Sequence, residues 1–137
     1  MLRYVAMPMA LGLCLSAAAA AQTLLTTFDG EYKGRMVLQD KPMAAGGIQE
    51  SGAVPPCEDH RPAEASITAG YITIQYLDWH RHLIHFRGQV GADGAVKAYH
   101  LNSNGQYSPL TGHISNNRLE ADTLRGRCSY RFTLTKR

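Results

Sequence analysis

The chain has 137 residues and 14 Lys and Arg against 11 Asp and Glu, giving a formal net charge of +3 with its six histidines neutral. That length accommodates one domain with a single modest core. The weak, dispersed charge excludes a basic nucleic-acid arm and a polybasic membrane anchor.

The N-terminal stretch MLRYVAMPMALGLCLSAAAAAQT joins one positive charge, Arg3, to an apolar run from Tyr4 to Leu15 and then to a series of alanines. This is the layout of a secretory signal peptide. Ala19 and Ala21 supply the small residues, so cleavage is expected after Ala21, with 1–21 as signal and 22–137 as a single β-domain. A membrane-spanning helix needs about 20 apolar residues. The run here is shorter and contains Pro8, so no transmembrane segment is expected. Cys14 follows Leu13, not the small residue a lipoprotein signal places before its cysteine, and is expected to leave with the signal. The product is expected to be exported, either periplasmic or secreted. It keeps two cysteines, Cys57 and Cys128, and two thiols in an oxidising compartment are expected to form a disulfide.

From Phe28 onward the dominant period is two, with glycine and asparagine punctuation, which predicts short antiparallel strands. In EYKGRMVLQ, Tyr32, Met36 and Leu38 alternate with Lys33, Arg35 and Val37. The segment from Gln39 to Glu64 follows, with four prolines, three glycines and little periodicity, and is expected to be a long loop. EASIT and YITIQYL flank a turn at Gly70, with Ile72, Ile74 and Tyr76 on one face. In LIHFRGQV, Ile84, Phe86 and Val90 oppose His85, Arg87 and Gln89. Asp93-Gly94 signals a hairpin, and Asn116-Asn117 a second one between LTGHIS and RLEADT. FRGQV and LTGHI share the pattern apolar, x, Gly, x, aliphatic. The last strand places Cys128, Tyr130, Phe132 and Leu134 inward. The expected fold is all-β: a small antiparallel up-and-down barrel of about eight strands, which leaves no exposed edges. A two-sheet β-sandwich is the alternative.

FDGEYKG near the start and CSYRFTLTKR at the end resemble the termini of small exported β-proteins of proteobacteria, which also pair a cysteine in the long early loop with one in the last strand. The resemblance covers most of the mature chain. It implies a fold and a compartment, and no activity.

WHRHLIHF, residues 79–86, holds three histidines and the only tryptophan. Read as a continuous strand, it puts His80 and His82 on the inward face of Ile84 and Phe86, with His85 opposite. A zinc site needs a third protein ligand, and His100, inward with Val96 and Ala98, is the candidate. The pair resembles the H-x-H of cupins, but Phe86 and Arg87 stand where cupins place a glutamate. A polar rim at the strand mouth is the simpler reading of these histidines. CEDH at Cys57 to His60 reads as a solvated turn. On the outward face, Arg35 and Arg131 become neighbours if the barrel closes, and Arg87 continues the basic character on the central hairpin. Such a surface suits an envelope protein or an anionic polymer. No G-x-S-x-G elbow, H-E-x-x-H or phosphate-cradling glycine loop is present, and no cofactor is implied. The sequence therefore favours a non-catalytic exported β-domain binding a macromolecular partner. The alternative is a small-ligand or metal carrier using the barrel interior, and an envelope hydrolase without a familiar motif is third.

Overall fold

The computed structural model describes residues 27–40 and 57–137. The expected signal peptide and the middle of the expected long loop lie outside the described residues. Eight antiparallel strands close into a barrel in which each pairs with its neighbours in chain order and the last pairs with the first. They are β1 (Gly30–Asp40), β2 (His60–Thr68), β3 (Tyr71–Leu77), β4 (Leu83–Val90), β5 (Ala95–Leu101), β6 (Tyr107–Ser115), β7 (Arg118–Arg125) and β8 (Cys128–Lys136). The predicted up-and-down barrel is the observed fold, and the sandwich is not.

The period-two pattern does the folding. Inward positions carry Tyr32, Met36, Ile72, Ile74, Phe86, Leu110, Leu119, Phe132 and Leu134, all essentially inaccessible to solvent, while charged and polar residues alternate outward. Phe86 and Phe132 meet edge to face with centroids 5.8 Å apart, and Tyr76 packs on Phe132 at 5.9 Å. Aromatic pairs in this geometry stabilise beyond the area they bury. The interior is therefore filled by side chains, as expected for a barrel of this strand number.

The two ends of the barrel differ. At one end, tight turns at Ala69–Gly70 and Asn116–Asn117, both with positive φ, and the Gly91–Ala95 loop close the chain. The FDG motif seals this end. Asp29 accepts hydrogen bonds from the Ala69 and Gly70 N–H groups, the Tyr32 hydroxyl donates to the Phe28 carbonyl at 2.8 Å, and Phe28 packs on the core.

At the opposite end the ladders stop early. β4 and β5 pair only from Arg87↔Tyr99 to Val90↔Val96, β2 joins β3 only from Ala63, and β6 joins β7 only from Leu110. Pro62 and Pro109 each sit one residue outside the second ladder of their strand, where a missing N–H removes no ladder bond. That is why β2 begins at His60, so the loop expected over 39–64 is shorter at both margins: Gln39 and Asp40 complete β1, and 60–64 open β2.

Candidate functional site at the open end of the barrel

The splayed ladders leave a cleft of about 750 Å³ at this end, and its lining includes His100, Arg125, Tyr130, Glu58, Trp79 and Tyr107. Side chains replace the missing ladder bonds: the ring nitrogen Nδ1 of His100 donates to the His85 carbonyl at 2.9 Å, and the Thr123 hydroxyl donates to the Pro109 carbonyl at 2.7 Å. A carbonyl only accepts, so this contact places the proton of neutral His100 on Nδ1 and leaves Nε2 with a lone pair. Burial holds the His100 pKa below its ordinary value. The hydrogen bond to His85 opposes this, and the nearby charges of Arg125 and His85 add to it.

Arg125 occupies the last inward position of β7, after Leu119, Ala121 and Thr123. Its guanidinium donates to the Tyr76 hydroxyl and lies 5.9 Å from the centre of that ring. Burial pushes the Tyr76 phenol up to about 12, with Arg125 pulling in the other direction, so the hydroxyl stays neutral through the ordinary range. Among the described residues no carboxylate lies within ion-pair distance of Arg125.

Glu58 and Cys128 also line the cleft, and the disulfide from Cys57 to Cys128, Cα–Cα 5.6 Å, ties the segment that carries Glu58 to β8. The Glu58 N–H donates to the Tyr130 hydroxyl at 3.0 Å, and the Asp59 carbonyl accepts from the Leu38 N–H at 2.8 Å. Burial, foremost, raises the Tyr130 pKa. The Glu58 carboxylate accepts from the Trp79 N–H at 2.6 Å and from Arg61 at 3.3 Å. Glu58 is thus a half-buried strut between the pinned segment and the β3–β4 loop, whereas Asp59 and His60 of CEDH are exposed, as a solvated turn implies.

His80 and His82 do not continue the inward face of β4. Residues 78–82 form the β3–β4 loop, closed by hydrogen bonds from the Asp78 N–H to the His82 carbonyl and from the Arg81 N–H to the Asp78 carbonyl. Arg81 takes a left-handed conformation (φ 65°), which ends the strand alternation. The rings of His80 and His82 lie 5.8 Å apart on the exposed rim, whereas His100 is buried beside Phe86 at 5.7 Å. Among the described residues no three His, Cys, Asp or Glu side chains gather in a metal-holding arrangement.

On the exterior, Arg35 and Arg131 do stand on adjoining strands, through Arg35↔Thr133 and Val37↔Arg131. Arg131 is held bidentately by Asp122 at 2.8 and 3.0 Å, which neutralises it. Arg87, on β4, lies four strands from β8 and so on the far side of the barrel. The three arginines do not share one face. The residues missed by sequence reading are Arg125 and Glu58. The signal for Arg125 was its inward phase in RLEADTLR, and Glu58 gave none.

No protein-family model matches the chain, and no curated protein or solved structure shows a significant similarity to it.

Proposed function

We propose that the protein is an exported, non-catalytic binding protein that holds a small anionic molecule at the open end of its barrel. The observation that carries this reading is Arg125: a half-buried guanidinium in a cleft of mixed aromatic and polar lining, oriented by a neutral Tyr76, with no carboxylate within ion-pair distance among the described residues, although Glu58 and Asp78 also line the cleft. A half-buried cation of this kind gains more from an anion than an exposed one does, because water screens it less. Arginine also presents a fork suited to a carboxylate or phosphate. Tyr107, Pro109, Leu124 and Trp79 offer the ligand's body apolar contact. The filled interior confines that ligand to the mouth, so a short or flat molecule fits and a long chain does not. A disulfide suits an oxidising compartment, which supports export.

The test is a titration of the protein with hexanoate and with phenyl phosphate, followed by amide and arginine side-chain NMR. Shifts should concentrate at Arg125, Tyr76 and His100. Arg125→Gln should weaken binding by roughly tenfold or more, about 1.4 kcal/mol, while Arg35→Gln should not change it. Shifts confined to other surfaces, or an affinity unmoved by Arg125→Gln, would reject the site.

A further inference from the structure

The outer rim of the same end carries an apolar band that the core does not explain. Of the nine large hydrophobic side chains exposed among the described residues, seven stand at this end, so they form a band and not the scattered single residues usual on a surface. Leu77 and Leu83 are register partners, as are Leu101 and Tyr107. Tyr99 stacks on Tyr107 with centroids 5.4 Å apart. Trp79, 51% exposed, and Leu124, 58%, extend the band on either side. Alternation forces them outward, because their neighbours Tyr76, Ile84, His100 and Arg125 point in.

On this rim Glu58 pairs with Arg61, Asp59 and Asp78 each lie 3.6 Å from a ring nitrogen of His60 and His82 respectively, and Arg81 and Arg127 have no carboxylate within ion-pair distance among the described residues. Arg81 adds a second observation. The three-residue loops 79–81, 92–94 and 103–105 close with the same pair of hydrogen bonds, and their last position has positive φ in each. Gly94 and Gly105 fill it in two of them, and Arg81 in the third. A long cationic side chain held where glycine is the relaxed choice is strain kept at an exposed, basic tip.

We propose that this band docks the open end of the barrel onto an anionic lipid bilayer. Trp and Tyr present an apolar ring with a polar edge and favour the headgroup level, and unpaired arginines complement anionic headgroups. The rest of the barrel is apolar inside and polar outside, the reverse of a membrane-spanning barrel, so the protein lies on the bilayer and does not cross it. The band shares Trp79, Tyr107 and Leu124 with the lining of the cleft, but the inference does not depend on anion binding at Arg125.

Trp79 is the only tryptophan in the chain, so its emission reports on the proposed contact directly. The full mature protein is mixed with phosphatidylcholine vesicles, with and without phosphatidylglycerol, and followed by fluorescence and cosedimentation. Phosphatidylglycerol vesicles should shift Trp79 emission to the blue, carry the protein into the pellet and let brominated lipid quench the signal. Added salt should reverse part of this. Leu101→Ser and Arg81→Gly should each lower the vesicle-bound fraction severalfold, with the thermal transition of Arg81→Gly unchanged or raised. Unmoved emission with the protein left in the supernatant overturns the proposal. So does a dimer in sedimentation that Leu101→Ser dissolves in the absence of vesicle binding, because the band would then belong to a second copy.

Discussion

His100 shows how one side chain serves both the fold and the mouth. Where β4 and β5 part, its Nδ1–H takes the His85 carbonyl that the ladder leaves without a strand partner, and its ring packs on Phe86. The environment that makes this contact favourable also disfavours the imidazolium, so the folded pKa lies below the unfolded one. As pH falls below about 6.5 the unfolded chain takes up a proton that the folded chain refuses, and folding stability declines until the folded form titrates too. Above that window the contribution is complete. The urea midpoint should therefore drop between about pH 7.5 and about pH 5.5, and His100→Gln, which retains a donor for His85, should flatten that slope. An equal slope in the variant would assign the effect to other groups.

At the scale of elements, the pattern shared by FRGQV and LTGHI has a steric cause. Gly88 and Gly112 occupy inward phase where the neighbouring strand passes so close that a side chain has no room. A Cβ on Gly88 would stand 1.9 Å from the Lys97 carbonyl oxygen, and one on Gly112 2.3 Å from that of Glu120. Backbone atoms cannot step aside as a flexible side chain can. Gly88→Ala should cost roughly 1–3 kcal/mol or more in denaturant unfolding, as overpacked interiors do, while Gln89→Ala on the outer face should stay within about 0.5 kcal/mol. Strand phase was legible in the sequence because burial and period agree at Ile72, Ile74, Phe86 and Val96. The β3–β4 loop was not, because Arg81 fills a left-handed position that glycine marks at 94 and 105, and histidines on either side imitate alternation. The metal reading of His80 and His82 with His100 rested on that imitated phase.

For the whole molecule, closure was legible and the asymmetry between its ends was not. Eight alternating segments imply a barrel, but where each ladder stops depends on which residues lose a partner, as at Pro62, Pro109 and His85. The Cys57–Cys128 disulfide acts on both properties. It spans 71 residues of sequence, and in the chain-entropy view a loop of that length contributes roughly 4 kcal/mol by restricting the unfolded chain. For a domain of this size that corresponds to a drop in melting temperature on the order of 10–20 °C on reduction. The same bond fixes Cys57 beside Glu58, whose N–H meets Tyr130 and whose carboxylate meets the Trp79 N–H. Reduction should therefore do more than lower the transition. At a temperature where the reduced barrel is still folded by circular dichroism, the wall of the cleft loses its anchor, and hexanoate binding should weaken while amide shifts at the Phe28 end stay in place. A melting transition unchanged after confirmed reduction would show that the barrel closes without help from this bond. A lower transition with unchanged anion affinity would show that Glu58 and Tyr130 hold the wall by themselves.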